Sequence, residues 1–283
     1  MKRIQPARPD EAELQGRAAK VPDVPVASLD ALIARGQDVR VDESLAGVLD
    51  LPAHSMQQLD EQADIFVTIG GDGTILHAQA ATGKPVLGVN AGAIGFLAEV
   101  EPPQAADAID RVLAGDYQIE ERHRLTAYLD GEELPDAVNE VTLQTSRIAK
   151  LIRIEVMVDD EVLEVLRGDG IIVSTATGST GYAMSVGGPL IHPSVPAVIL
   201  APIAPFKLAA RPWVVHANSV IRIRLMDRDS AQGVQQARVV VDGQHGFDMD
   251  TGAVLEVRES KRKARFIRFG GGFYERVRTK LTR

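Results

Sequence analysis

The chain contains no cysteine, which excludes disulfide frameworks and thiolate metal sites. No run approaches the roughly 18 consecutive apolar residues that a membrane-spanning helix requires. The opening residues, Met1 to Asp10, carry charge and proline but no apolar stretch, so no secretory signal is expected there. G-x-x-x-x-G-K-[ST] is absent and no G-x-G-x-x-G follows a strand-like run, so neither the Walker loop nor the dinucleotide fingerprint is present. The six histidines are scattered, none at metal-ligand spacing. No internal repeat is visible.

What is present is an ordinary globular composition. A chain of 283 residues can form one large domain or two ordinary ones. With 45% hydrophobic and 25% charged residues, fibrous and largely disordered classes are excluded. A net charge of −8 makes a general nucleic-acid binder a poor fit, and the lack of cysteine is compatible with a reducing compartment. The charge is uneven: Glu259 to Arg283 holds nine Lys/Arg against two Glu. That basic tail reads as a solvated strand and helix face or as a local attraction for phosphates. The first is favoured, and spacing alone does not decide.

Patterning divides the chain. Arg8 to Lys20 reads as a polar helix, Val21 to Val26 as proline-broken, and Leu29, Leu32 and Ile33 as one helical face with Ser28 as N-cap. Asp64 to Ile69 is a short run of β-formers ending at Gly70-Gly71, as a buried parallel strand does. Thr74 to Ala81 reads as a helix and Pro85 to Val89 as the next buried strand, completing a βαβ unit. Pro102 to Ala114 is a further helix. After Gly115 strands dominate: Leu125 to Leu129, Leu151 to Val158, Val162 to Leu166, Ile171 to Val173, Ser219 to Met226, Ala237 to Val241, Val254 to Glu259 and Ala264 to Phe269. Asp130-Gly131 and Asp159-Asp160 mark hairpin turns. Phe273 to Leu281 reads as a short basic helix. The expected architecture is α/β plus β-rich: a Rossmann-like α/β domain over 1–116, a β-sandwich-like domain over 117–268, and a basic helix over 269–283 that can pack back on the first domain.

Four segments carry chemistry. Gly70-Gly71-Asp72-Gly73-Thr74 lies between a strand and a helix, where glycine amides and the helix N-terminus can cradle a phosphate. Asp72 is awkward there unless it accepts a proton or holds Mg²⁺. The bland alternative, a tight turn with Asp72 as N-cap, is about equally weighted. Asn90-Ala91-Gly92-Ala93-Ile94-Gly95-Phe96 follows the next strand and should leave the same carboxyl edge of the sheet, where ligands of open α/β sheets bind. Asn139-Glu140 can read a ribose diol or an adenine edge, although alone a capping or surface role is the stronger reading. Gly168-Asp169-Gly170 leads through a strand into Ser174 to Ser185, a turn dense in hydroxyls and glycines with Tyr182 adding an aromatic face. A purely structural turn accounts for two or three of these residues.

Taken together, GGDGT at 70–74, NAGAIGF at 90–96, NE at 139–140, GDGIIVSTATGSTGYAMSVGGPLIHP at 168–193 and PFKLAARP at 205–212 resemble the NAD kinases of bacterial and archaeal type, over roughly Ile65 to Val241. Ala176 stands where that family has proline and Gly181 where it has alanine. The resemblance implies a two-domain enzyme that phosphorylates the adenosine-ribose 2′-hydroxyl of NAD with ATP or polyphosphate. It needs Mg²⁺ held mainly by the donor phosphates, with Asp72 as a carboxylate that can share it. It also implies a cytoplasmic homodimer or homotetramer whose partners are small nucleotides, with no nucleic acid and no membrane. By position, Asp72 is the general base and Gly71, Gly73 and Thr74 hold phosphate. His77 lies near the donor phosphates. Asn139 and Glu140 bind NAD through base and ribose, and Asp169, Thr180, Tyr182, Ser185 and Asp242 line the NAD site. GGDGT also occurs in kinases acting on lipid or sugar hydroxyls, and a non-catalytic NAD sensor on the same scaffold is the remaining alternative.

Overall fold

The computed structural model describes residues 23–93, 95–226 and 236–281. These form two compact units: residues 23–121 with 264–281, and Arg122–Lys263.

The α/β unit runs α1 (Asp23–Ile33), β1 (Val41–Asp42), α2 (Glu43–Leu49), β2 (Ala53–His54), α3 (Met56–Gln62), β3 (Phe66–Gly70), α4 (Asp72–Ala81), β4 (Val86–Asn90), α5 (Ala105–Leu113) and β5 (Gln118–Arg122). It is completed from the end of the chain by β18 (Ala264–Arg268) and α7 (Phe273–Leu281). Its main sheet has the order β3-β4-β18-β5, and β4 pairs in parallel with both β3 and β18. Leu87, Ala108 and Ile267 are buried together with Val67, Val100, Val112 and Phe269 packed against them. All five residues of β4 are buried, as expected of a strand covered on both faces.

Two expectations are corrected here. Ser28 is not an N-cap: α1 already begins at Asp23, because Pro25 falls in the first turn, where a missing N–H costs no intrahelical bond. The strand at 264–268 belongs to the α/β unit, not to a β-rich domain extending to residue 268. Its mixture of apolar and basic residues resembles that of the preceding antiparallel strands, and only its pairing with β4 reveals the parallel sheet. The other boundary falls at Arg122, a few residues beyond the composition change at 117. The helix expected over Arg8 to Lys20 lies outside the described residues.

The second unit is a sandwich of two six-stranded sheets. One has the order β10 (Glu161–Gly168), β9 (Ile152–Val158), β14 (Ile221–Leu225), β17 (Val254–Glu259), β6 (Leu125–Leu129), β7 (Glu132–Glu133). The other is β13 (Trp213–His216), β12 (Ala197–Ile203), β11 (Gly170–Thr175), β8 (Glu140–Thr145), β15 (Gln236–Val241), β16 (His245–Asp250). Every pairing is antiparallel. One core joins the facing sheets, with Ile154, Val156, Ile223 and Leu255 from the first and Leu143, Ile171, Val173 and Val239 from the second.

Alternation explains why β11 reads as a continuous apolar run. Ile171 and Val173 enter that shared core. Ile172, between them, points to the opposite face and packs with Ala176, Ala183, Ile191 and Ile199. The segment after β11, a 3₁₀ turn over Thr177–Thr180 and the short helix α6 (Tyr182–Ser185), thereby covers the outer face of its own sheet. The turns predicted at Asp130-Gly131 and Asp159-Asp160 have both residues at positive φ, the mark of type I′ hairpins.

The glycines flanking Asp169 serve strand packing. A Cβ on Gly170 would lie 2.0 Å from the Leu143 carbonyl oxygen of the neighbouring strand, and one on Gly168 would lie 2.9 Å from that of Ile203. Gly170→Ala is expected to destabilise the fold by about 1–3 kcal/mol through overpacking, read as a lowered urea midpoint. An unchanged midpoint would show that β8 and β11 do not approach this closely.

Candidate active site

The βαβ turn of the α/β unit sits where the sequence places it. Gly70 pairs with Asn90 across β3 and β4, so the loops that follow leave the same carboxyl edge. The amide of Ala91 donates to the Gly70 carbonyl at 2.9 Å. A Cβ on Gly92 would fall 2.7 Å from the Gly71 Cα, so the two loops touch through bare backbone.

Gly71 is the N-cap of α4, with no side-chain cap, and Asp72 is its first residue. The capping alternative for Asp72 therefore fails. Its carboxylate reaches across to the second loop, accepting the Phe96 amide on Oδ2 and the Leu97 amide on Oδ1, each at 2.9 Å. Thr74 packs its side chain over Gly70, where a Cβ would meet Thr74 Oγ1 at 2.3 Å. Gly73, Thr74 and His77 are exposed and Asp72 is half-buried. Gly71, Asp72, Gly73, Thr74 and His77 thus share the N-terminal half of one short helix.

The remaining site residues lie in the sandwich unit. Asn139-Glu140 forms the entry to β8 and is held from both sides. The carbonyls of Val138 and Asn139 are taken by the hydroxyl block: the Thr175 hydroxyl donates to the Val138 oxygen at 2.7 Å, and the Thr175 amide and Ser174 hydroxyl donate to the Asn139 oxygen at 2.8 and 3.2 Å. The amides are taken by Asp242. That carboxylate accepts from Val138, Asn139 and Glu140 at 2.7, 2.8 and 3.0 Å. Asp242 follows β15 at φ +47°, a conformation Asp tolerates better than most residues. In this structure its oxygens serve the backbone of the Asn139-Glu140 turn, so it acts on that pair by positioning it.

The side-chain ends of the pair are left open. Asn139 Oδ1 and Glu140 Oε2 are buried with no hydrogen-bond partner among the described residues. Both side chains abut Gly181, where a Cβ would stand 3.5 Å from Asn139 Nδ2 and from Glu140 Oε2. Buried polar atoms without partners are costly, so these mark a place prepared for a polar ligand. Burial pushes the Glu140 carboxyl up to about 8, with the nearby Asp242 charge adding to the rise. Burial also raises Asp242, to about 6, against the opposing pull of its three amide donors.

The hydroxyl-rich turn is more structural than its composition suggests. Ser174 and Thr175 hold the Asn139 turn, Ser179 bonds the Ile191 backbone at 3.0 and 3.1 Å, and Thr180 donates to the Thr177 carbonyl at 3.3 Å. The local turn reading therefore explains most of its hydroxyls rather than two or three. Tyr182 and Ser185 are exposed. Tyr182 and Asp169 do come together, lining an open cavity of about 280 Å³ with Gln144, Thr145, Arg147 and Ile203. The partners that sequence reasoning missed are backbone groups, the Phe96 and Leu97 amides, which no residue type announces.

A Rossmann-like unit with a glycine–aspartate loop and a sandwich unit that presents a buried amide–carboxyl pair fit a phosphotransferase for a small hydroxyl-bearing molecule. The comparisons narrow the class. Residues 27–117 match the ATP-NAD kinase N-terminal domain and residues 138–269 the ATP-NAD kinase C-terminal domain. The chain is 44% identical over 254 residues to the NAD kinase of Methanothermobacter thermautotrophicus, covering 88% of each chain. It is 41% identical over 248 residues to that of Methanosarcina acetivorans, covering 86% of this chain and 88% of that one. The structure of an NAD kinase from Archaeoglobus fulgidus in complex with ATP matches with a TM-score of 0.72 at 28% identity, over 89% of this chain and 91% of that chain. Yeast NADH kinase complexed with NADH shares the fold, with a TM-score of 0.86 at 24% identity, over 93% of this chain and 84% of that one. The chain belongs to the NAD kinase family.

The two raised carboxyls give a pH signature. A group that is a weaker acid folded than unfolded binds more protons in the native state, so stability falls as pH rises from its unfolded to its folded value. For Glu140 that window runs from its ordinary 4.5 to about 8. The urea midpoint should decline across this range, and Glu140→Gln should flatten most of the decline. A profile that the substitution leaves unchanged would mean that Glu140 is an ordinary hydrated carboxylate.

Proposed function

We propose that this enzyme transfers a phosphoryl group from ATP or polyphosphate to the adenosine-ribose 2′-hydroxyl of NAD, with Asp72 as the general base. The observation that carries the reading is the setting of Asp72. It stands at the first turn of a helix behind paired glycines, at the carboxyl edge of a parallel sheet, with its carboxylate oriented by two amides of the adjoining loop. Phosphoryl transfer asks a protein chiefly for positioning and charge neutralisation. The amides around Gly71 and Gly73, the helix N-terminus and the Thr74 hydroxyl would hold donor phosphate, with His77 on the same helix within the donor side of the site.

Acceptor recognition falls to the sandwich unit. Asn139 and Glu140 present an amide and a carboxyl whose outer oxygens are uncommitted, suited to base and ribose. Asp169, Thr180, Tyr182 and Ser185 would line the rest of the NAD site, with Asp242 holding the Asn139-Glu140 turn. Among the described residues no group of three or more acidic or histidine side chains could hold a metal ion. Mg²⁺ would accompany the donor phosphates, whose charge it would neutralise. Asp72 uses one lone pair on each oxygen for the amides and keeps others for such an ion. A cytoplasmic homodimer or homotetramer completes the reading, carried by the family resemblance.

The test is NADP formation by the purified protein, comparing ATP with polyphosphate in the presence of Mg²⁺ and offering diacylglycerol and fructose 6-phosphate as rival acceptors. Asp72→Asn should fold normally and lose roughly 10²–10⁴-fold in turnover, the usual worth of a positioned base. Near-wild-type turnover would remove Asp72 from that role. Phosphorylation of a rival acceptor alone would reassign the substrate, and NAD binding without NADP formation would make the protein a sensor.

A further inference from the structure

The basic C-terminal stretch has a specific contact. Lys280 lies in the last turn of α7, and its ammonium donates to the Gly95 carbonyl at 2.6 Å, with Glu101 Oε1 3.7 Å away. The peptide group that carries this carbonyl also carries the Phe96 N–H, which donates to Asp72 Oδ2 at 2.9 Å. One peptide plane therefore has a lysine on its oxygen and the Asp72 carboxylate on its hydrogen.

A peptide group polarises as a unit. A cation on the oxygen draws electron density from the nitrogen and makes the N–H a stronger donor. The grip is also geometric, because fixing the carbonyl fixes the direction of the N–H. Residue 95 is poorly able to fix that plane itself. It is a glycine at φ +66°, where a Cβ would lie 2.5 Å from the Asn90 amide carbon, and glycine leaves the backbone freer than any other residue. The rest of the turn is braced separately, by Asn90 donating to both oxygens of Glu101 at 3.1 and 3.2 Å and accepting the Gly92 amide at 3.1 Å.

The helix does not depend on Lys280 for its place. Arg276, one turn earlier, stands 3.7 Å from Glu99. Glu99 also binds Arg268 at 3.0 Å and the Phe269 amide at 2.7 Å, just ahead of the helix. Lys280 is therefore separable from the docking of α7.

We infer that Lys280 is a positioning residue for phosphoryl transfer: by holding the Gly95–Phe96 peptide it fixes the orientation of the Asp72 carboxylate, which makes the C-terminal helix part of the catalytic apparatus. The inference rests on the reading of Asp72 as the base. It also assigns one residue of the basic tail a task that is neither solvation nor phosphate attraction.

The test is steady-state kinetics of NADP formation by the full-length enzyme, with melting temperature measured alongside, for Lys280→Met, Lys280→Arg and Asp72→Asn. Loosening a reacting group without removing it should lower kcat roughly tenfold in Lys280→Met. KM for NAD and for the donor should stay near wild type, and so should the melting temperature. Lys280→Arg, which restores a charged donor, should recover most of kcat. If Lys280→Met does not fold, Lys280→Gln takes its place, and a kcat between wild type and the tenfold loss is expected because the amide donates without charge. Wild-type kcat in Lys280→Met overturns the inference, as does a loss expressed in KM for the donor, which would mean phosphate attraction. An equal loss in Lys280→Arg overturns it too. If Asp72→Asn stays active, the base reading fails whatever Lys280 does; if Asp72→Asn is inactive while Lys280→Met is unaffected, only the present inference fails.

Discussion

Both oxygens of Asp72 accept backbone amides at 2.9 Å from the loop that follows the neighbouring strand, and the architecture of the α/β unit is what makes those bonds available. The parallel register sets Gly70 opposite Asn90, so the two loops start side by side. Gly92 then approaches Gly71 more closely than a Cβ on residue 92 would permit. Hydrogen bonds to a charged group contribute about 1.5–3 kcal/mol each, and a carboxylate in the first turn of a helix gains a further 0.3–1 kcal/mol or so from the dipole. An acidic residue between glycines at the start of a helix is thus held by the amides of the adjoining loop.

The sandwich unit treats its carboxyls differently. Asp242 is buried but takes three amide donors, so its charge is solvated by the backbone it organises. Glu140, fixed by that same backbone, receives no partner on Oε2 and shares its surroundings with the Asp242 charge. The result is one buried carboxyl spent on structure and one held in reserve. The turn that connects them is closed on its other side by Ser174 and Thr175, so the hydroxyl block holds the carbonyls of Val138 and Asn139 while Asp242 holds the amides of Val138, Asn139 and Glu140.

Much of this was legible before any coordinates. The βαβ turn and both glycine loops are written in short β-forming runs that stop at glycine, and most strands of the sandwich in alternation. What escaped did so for physical reasons. Ala197–Ile203 carries Pro202 and follows Pro196, which read as interruptions, yet the strand pairs along its length with β11. His245–Asp250 looks like a polar loop because Asp248 and Asp250 face solvent while only Phe247 and Met249 reach the core. β18 mixes apolar and basic residues as its predecessors do, and composition alone does not say which sheet a strand joins. In the candidate site, residue types singled out Asp72 and the Asn139-Glu140 pair as proposals. The function of Asp242 stayed hidden because its ligands are amides more than a hundred positions away in sequence, and backbone donors leave no compositional trace.

The state of Glu140 bears on what the sandwich unit can recognise. An ionised carboxylate only accepts hydrogen bonds, whereas a protonated one also donates. With its acidity shifted to about 8, Glu140 is largely neutral at pH 7. Beside it, Asn139 supplies an amide with the same double capacity. A sugar hydroxyl or the edge of adenine offers donors and acceptors together, so a neutral acid paired with an amide matches such a ligand where a carboxylate would repel part of it. The unpartnered Oδ1 and Oε2 atoms cost the empty fold roughly 1–3 kcal/mol each. A ligand that satisfies both recovers that energy on binding, while one lacking the matching groups leaves it unrecovered. Selectivity of this kind depends on the two side chains being immobile, which is the condition that the Asp242 and Thr175 clamp imposes.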